Sequence, residues 1–377
     1  MATLPGLDER DIRFNRLRES MQRENLDALV IAGKGHWWTG RGYYRYLTDF
    51  HLWAHDGAIL FPLEGEPYLT LTSGAVAGRI SKRGWITDVA GDPEITVKIV
   101  QKMKERGLTR GRVGVCGYEY IIPAQAYACL TGGLPDVEFV KADLVIDRVR
   151  AVKSPLEIQQ QRELWTLAKS AMERFVEVLA PGRTEWELAA EASKVVLAGG
   201  GRDILVFLGG SPPEDKPVKL DGILGYHMEM TGPSGHWCEL TVTLAFRDPT
   251  KLELKLMDTE LRAYEEIRKQ AKPGVRLSAL TDTLERVYLE DGWQLAEKQS
   301  PHHDLHGEGM DTIEWPLYGV LDTRWDAPLE AGMTFSYHPR RNVLPDVRAT
   351  GINENIVITS DGAERLSEPW DLRWRVI

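Results

Sequence analysis

The sequence predicts an α+β protein of two domains. A smaller α/β unit covers residues 1–150, and over residues 151–377 helices pack over a curved antiparallel sheet. Three observations carry this. The chain has 377 residues, which at roughly 150 per domain is enough for two domains or three. Its first 150 residues set short apolar runs against an amphipathic stretch. The remainder repeats a unit of helix, Pro-Gly, helix, Gly and strand after about 90 residues, which implies an internal pseudo-two-fold.

In the first domain, DALVIAG (Asp27 to Gly33) is an apolar run ending in glycine, the pattern of a buried strand. GAILFPLEGEPYLTLT predicts a hairpin turning at Glu64-Gly65-Glu66. EITVKIVQKMKERG predicts a helix and RVGVCG a further strand. Trp37, Trp38, Tyr43, Tyr44, Tyr46, Phe50 and Trp53 form an aromatic cluster. Such a cluster is either core packing or a binding wall or subunit contact. The second stays open because RGYYRYLTDFHLWAHDG is too rich in Arg, His and Asp to be all interior.

The second domain opens at Ser154-Pro155-Leu156-Glu157, a capping box with proline at the first helical position. Leu164, Leu167, Ala171, Phe175 and Val178 recur along one face of the helix, which stops by Pro181-Gly182. Thr184-Glu185-Trp186-Glu187 caps a second helix that ends in Gly199-Gly200-Gly201. The pattern returns with one helix over Lys251 to Ala271, closed by Pro273-Gly274, and another over Ser278 to Leu289, closed by Asp291-Gly292. DILVFLGG follows the first pair as a strand; TFSYHP and NENIVIT follow the second.

Composition narrows the function. Apolar residues at 43% and charged residues at 27% supply a sizeable core. A net charge of −10 and a pI near 5.5 argue against a nucleic-acid groove, because phosphate binding needs a basic face. A small anionic substrate held by one or two arginines remains compatible. Cys116, Cys129 and Cys238 are widely spaced without a CxxC, so neither a disulfide framework nor a zinc knuckle is indicated. MATLPGLDERDIRF lacks an apolar signal region, and no apolar run approaches the roughly 18 residues of a membrane span. The expected protein is reduced, soluble and cytoplasmic, with neither nucleic acid nor membrane as partner.

Four groups of metal-binding or proton-moving residues gather in strand or turn contexts of the second domain. They are Tyr226 to Met230 with His236 to Glu239 across a Gly232-Pro233-Ser234-Gly235 turn; Pro301 to Gly309; Phe335 to Arg341; and Gly351 to Asn355. In a hairpin, Glu229 and Glu239 lie on adjacent strands and can share one face. Carboxylate plus imidazole is a donor set suited to Zn, Mn or Fe.

From RAVKSPLEI to the C-terminus the chain resembles the creatinase/prolidase/methionine-aminopeptidase superfamily, peptidase family M24, with its pita-bread fold. The helix-PG-TE-helix-GGG run, the KL hairpin, the HGxG turn, the GMTF segment and the closing E-N-x-V-I-T run stand in that order. The N-terminal half resembles the extra domain of creatinase, prolidase and aminopeptidase P. The resemblance implies a hydrolase or lyase with a divalent metal ion and a homodimer. Peptidases of the family hold two metal ions with two Asp, one His and two Glu.

Carried over, that set becomes Glu239 for the second hairpin Asp, His306 for the HGxG histidine, His338 for the Glu after GMTF, and Glu354 for the last-strand Glu. The first hairpin Asp falls on Glu229 counted from Lys219-Leu220, but on Met228 counted back from Glu239. The family's histidine upstream of the hairpin, near SPPEDKPVKL, is missing, and the histidine of its His-Glu pair is Ile313, followed by Glu314.

The first reading is therefore a mononuclear Zn, Mn or Fe centre of Glu229, Glu239, His306, His338 and Glu354, acting on a small carboxylate-bearing and aromatic-tolerant substrate. In a metal-free, creatinase-like version, Glu229 and Glu239 orient the substrate and His236 or His306 moves the proton. Arg340 and Arg341 either clamp a substrate carboxylate or are solvated surface residues, and Trp237 is a candidate substrate wall. A conventional Xaa-Pro dipeptidase or aminopeptidase is the alternative, and a non-catalytic binding protein the third reading.

Overall fold

Runs of apolar residues ending at glycine become the strands of one sheet in the N-terminal unit. The computed structural model describes residues 5–34, 40–297, 299, 303–319, 326–347, 352–367 and 370–377. The chain divides between Arg150 and Ala151 into two compact units.

In chain order the first unit contains α1 (Leu7–Arg23), β1 (Ala28–Lys34), α2 (Arg41–Thr48), β2 (Asp56–Pro62), β3 (Tyr68–Leu71) and α3 (Gly74–Ser81). β4 (Asp88–Gly91), α4 (Ile95–Glu105), β5 (Gly111–Cys116), α5 (Ala124–Gly133), β6 (Val137–Lys141) and α6 (Asp143–Ala151) follow. The sheet runs β4-β3-β2-β1-β5-β6. β2 and β3 form the expected antiparallel hairpin, with Gly65 in the left-handed region at the turn. Val30, Leu60, Ile99, Met103 and Val113 lie in its buried core.

Part of the aromatic cluster is core packing. Tyr43, Tyr44 and Tyr46 lie on α2, whose residues are buried throughout, so they are core. Trp53 is 71% exposed. Trp37 and Trp38 lie outside the described residues.

The second unit opens with α7 (Pro155–Glu177), α8 (Glu185–Ala198), β7 (Ile204–Leu208), β8 (Ile223–Thr231) and β9 (Trp237–Ala245). α9 (Lys251–Gln270), α10 (Leu277–Glu290), β10 (Gln294–Leu295), β11 (His303–Gly307) and β12 (Glu314–Gly319) come next. It closes with β13 (Thr334–Tyr337), β14 (Val343–Leu344), β15 (Glu354–Ile358), β16 (Ala363–Arg365) and β17 (Arg375–Val376). Both predicted capping boxes form, at Ser154 with Glu157 and at Thr184 with Glu187, and a third at Thr250 with Glu253 opens α9.

Two sheets, β17-β9-β8-β7 and β12-β11-β13-β15-β16, meet at a bridge between Thr241 and Asn353. Helices α7 and α8 pack Leu164, Ala168, Phe175 and Leu188 against Met228, Met230 and Leu240 of the first sheet. Helices α9 and α10 pack Tyr264, Ile267 and Leu284 against Leu305, Phe335, Tyr337 and Ile356 of the second. This repeats one arrangement twice, as the pseudo-two-fold predicts. Because side chains alternate along a strand, the residues between those core positions face away from the helices. Among them are His227, Glu229, Glu239, His306 and Ser336.

Ser154 accepts the backbone N–H of Glu157, and the Glu157 carboxylate accepts that of Ser154. Ser154→Ala is expected to lower stability by about 1 kcal/mol, seen as a lower denaturation midpoint in urea. An unchanged midpoint would show that the start of α7 is held by its burial alone.

Candidate metal centre

The β8–β9 hairpin brings the first two carboxylates together. Its turn closes at Gly235 in the left-handed region, and its register sets Glu229 directly opposite Glu239. Met228 pairs with Leu240 and is buried in the helix-facing core. The count from Lys219-Leu220 therefore gives the residue on the open face, Glu229. Thr312 Oγ1 stands between the two carboxylates, 3.0 Å from Glu229 Oε2 and 3.4 Å from Glu239 Oε1. His227, two residues before Glu229 on the same face, has its Nε2 3.1 Å from Glu229 Oε1 and its Nδ1 2.8 Å from Thr241 Oγ1.

The second sheet supplies the imidazoles. His306 on β11 pairs with Ser336 on β13, and His338 follows β13 with its backbone N–H donating to the Asp304 carbonyl at 2.9 Å. The two Nε2 atoms are 3.3 Å apart. Glu239 Oε1 lies 3.4 Å from His306 Nε2, and its Oε2 lies 3.3 Å from His338 Nε2. Ser336 Oγ and Asn353 Nδ2 each donate to Glu239 Oε2 at 2.9 Å.

Burial pushes His338 down to about 4, although Glu239 beside it pulls the other way, so the ring is neutral at pH 7. Burial opposes ionisation of Glu239, but His306 and His338 outweigh it and hold the carboxyl below the ordinary range. Two imidazole nitrogens at this separation can share at most one proton between them. One atom from each of Glu239, His306 and His338 falls within 4.8 Å of the others. Such a convergence of nitrogen and carboxylate oxygen fits a borderline divalent ion.

Several expected site residues are placed elsewhere. Glu354 pairs with Tyr337, whose ring stacks on Tyr264 of α9, so it lies on the helix-covered face. There its carboxylate is held by Arg365 at 2.7 Å, by Ser367 at 2.8 Å and by the Trp370 indole N–H. Asn353, one residue earlier, reaches Glu239 instead. A one-residue step along a strand exchanges faces, so the strand turns Asn353 and not Glu354 toward Glu239. Arg341 is 4% exposed and grips Asp304 with two N–H bonds at 2.6 and 2.8 Å, so it is an internal clamp and not a substrate arginine. His236 is wholly buried, with Ser234 Oγ 3.0 Å from Nδ1 and Glu157 Oε1 3.4 Å from Nε2. Trp237 is 2% exposed and offers no open wall.

Arg340 is half-buried, and its charge acts on both His338 and Glu260. Glu314 is tied to Lys153 at 3.0 Å and accepts the backbone N–H groups of Met310 and Asp311, which pins the loop after β11. Pro301, His302 and Gly351 lie outside the described residues. His227, Thr312, Ser336 and Asn353 were not singled out as site residues in the sequence. Two-residue spacing from Glu229 and His338 was the signal available for His227 and Ser336. Thr312 and Asn353 have no local signal, because they act across strands.

Behind the His338 turn, Tyr288 Oη donates to the Pro339 carbonyl and accepts the Arg341 N–H, each at 3.2 Å. Glu260 of α9 is buried beside it. Burial raises this carboxyl to about 8, with Arg340 and Tyr288 opposing.

A family model for metallopeptidase family M24 matches residues 159–360, and one for the creatinase/prolidase N-terminal domain matches residues 13–152. YkvY of Bacillus subtilis (strain 168), a candidate dipeptidase, is 26% identical over 345 residues, covering 87% of this chain and 92% of that protein. A Xaa-Pro dipeptidase of Pyrococcus horikoshii is 24% identical over 246 residues, covering 61% and 66% respectively. Among solved structures, dipeptidase PepE from Mycobacterium ulcerans superposes with a TM-score of 0.80 at 20% identity, over 99% of each chain. The pita-bread fold expected from the sequence is the fold these matches share.

His338→Ala is expected to strip the purified protein of bound divalent metal while thermal unfolding stays cooperative. Elemental analysis decides this, and unchanged metal content would remove His338 from the centre. Glu260 gives a pH prediction. A carboxyl raised in the folded state binds a proton that the unfolded chain has already released, so stability falls as pH rises from the unfolded value through about 8. Between pH 5 and pH 8 the loss is on the order of 3 kcal/mol. Glu260→Gln should flatten that slope, measured by urea denaturation at both pH values.

Proposed function

The chain belongs to metallopeptidase family M24, and on that premise we propose that it is a metal-dependent dipeptidase, hydrolysing the amide bond of a small substrate with a free carboxylate. The observation that carries this reading is the convergence of Glu239, His306 and His338 on one point. When bound, a divalent ion supplies Lewis acidity at neutral pH. Two nitrogens with one carboxylate favour Zn or Fe, with Mn less suited to the imidazoles.

The chain's own residues divide the remaining work. Ser336 and Asn353 hold the Glu239 carboxylate in place. His227 is the most accessible member of the group, at 23% side-chain exposure, and with Glu229 it is placed to accept or return a proton at the edge of the site. Arg340 is the candidate for the substrate carboxylate, through two parallel N–H bonds. The homodimer expected from the resemblance belongs to the same reading, to be checked by sedimentation. No described helix is long and apolar enough to cross a membrane.

The curated relatives named above are dipeptidases or candidate dipeptidases, which favours this reading over the unusual aromatic substrate expected from the altered ligand set. One observation keeps a second reading: Ile313 stands where the family places a histidine. A non-peptide amide of an aromatic carboxylic acid would suit that apolar position.

Turnover of a panel of Xaa-Pro and other dipeptides is expected with Zn, Fe, Mn or Co added to stripped protein, and loss of turnover with chelator. Arg340→Ala should raise KM about tenfold, as expected for a lost charge-assisted contact, for dipeptides but not for their C-terminal amides. Hydrolysis of aromatic N-acyl carboxylates with no dipeptide turnover would replace the main reading by the second.

A further inference from the structure

We propose that the N-terminal unit holds a binding site for a small apolar α-amino acid, in a cavity between its sheet and the starts of α4 and α5. The inference concerns this unit alone and stands apart from the metal-dependent reading above.

The strands explain why the cavity exists. Val30, Ala32 and Lys34 alternate along one face of β1, and the register sets them against Leu60, Ala58 and Asp56 of β2. The stripe therefore passes from a large apolar pair, through a pair of alanines, to a pair of opposite charges. Val30 and Leu60 are covered by Ile99 and Leu130 in the core, and α4 and α5 close on each other where Gly133 meets Val100. Over Ala32 and Ala58 there is too little side chain to fill the space. A cavity of about 290 Å³ remains there, walled by Ile95 and Ile99 of α4 and by Ala126 and Cys129 of α5. Lys34 is the last residue of β1, which runs parallel to β5, so the site lies at the carboxyl ends of these strands. Open α/β sheets take their ligands at that edge. A cavity of about 150 Å³ already holds benzene, so this one has room for a branched or aromatic side chain together with its amino-acid head.

The charged groups define that head. Lys34, Asp56 and Glu94 all border the cavity, and none of them is ion-paired with another described residue. Lys34 and Asp56 stand directly opposite each other on neighbouring strands, where opposite charges ordinarily pair. A purely anionic ligand would face two carboxylates for one lysine, and a purely cationic one would face the lysine. A zwitterion satisfies both signs. Its carboxylate goes to Lys34, beside the first turn of α5, which has neither an acid nor a side-chain cap. Its ammonium goes to Asp56 and Glu94, and its apolar side chain covers the alanine pair.

Cys129 in the cavity wall is only partly buried, whereas Cys116 and Cys238 are buried, so its alkylation reports on this site. In the full-length protein iodoacetamide is expected to label Cys129, and L-phenylalanine to slow that labelling about tenfold as the site fills, read by peptide mass spectrometry. 3-Phenylpropionate and phenethylamine each lack one charge and should need about tenfold higher concentration for the same protection. Ala58→Leu fills the cavity and should abolish protection. Lys34→Ala is the second variant should leucine impair folding, and it should raise the half-protecting concentration about tenfold. Protection should be unchanged in His338→Ala, so that failure of the metal-dependent reading leaves this site standing. An unreactive Cys129 in the free protein, no protection by L-phenylalanine, or equal protection by 3-phenylpropionate would overturn the proposal. So would full protection in the folded Ala58 and Lys34 variants, or its loss in His338→Ala.

Discussion

Strand alternation against a helix-covered sheet is the constraint from which the rest of this site follows. Helices α7 to α10 bury one face of both sheets, so each strand gives every second residue to the core. Met228, Leu240, Leu305, Phe335 and Tyr337 go inward, and His227, Glu229, Glu239, His306 and Ser336 are left on the other side. The same rule sends Glu354 inward beside Tyr337, where it needs Arg365, Ser367 and Trp370 to satisfy it. It leaves Asn353 to reach Glu239. Register fixes which acids are available for chemistry, and a slip of one residue would exchange the whole set.

Alternation chooses the face, but a separate device sets the spacing of the two histidines. Arg341 and Asp304 form a buried two-pronged ion pair, with Thr281 donating to Asp304 at 2.7 Å. Asp304 lies two residues before His306, and Arg341 three after His338. The Asp304 carbonyl also takes the His338 N–H. Breaking a buried pair of this kind costs about 3–5 kcal/mol, because it strands a charge. Its place between the two histidine-bearing segments gives it a role in orientation beyond stability. Tyr288 reinforces the same turn from α10.

The electrostatics follow from this packing. Glu229, Glu239 and Glu314 gather around the buried Glu308, and Lys153 beside it is paired with Glu314. His338 is kept neutral by burial, so it brings a lone pair rather than a charge. Clustered carboxylates beside the neutral nitrogen of His338 are the inverse of a phosphate-binding site, in keeping with the chain's acidic balance. They suit a divalent metal ion.

What the sequence alone determined is local. Ser154 with Glu157 and Thr184 with Glu187 predict helix starts, because capping boxes join residues three apart. The helix–Pro-Gly–helix repeat is likewise read without contacts, and the family motifs pick out Glu239, His306 and His338 as candidates, though not the face on which they lie. Tertiary structure decided everything that depends on register or on partners distant in the chain. Arg341 looks like a surface arginine until Asp304 meets it 37 residues away. His236 looks like a proton carrier until Glu157 and Ser234 enclose it. Asn353 over Glu354, and Glu229 over Met228, were settled by which strand lies alongside and which face the helices cover. Strand pairing joins residues far apart in the chain, so no local pattern carries that information.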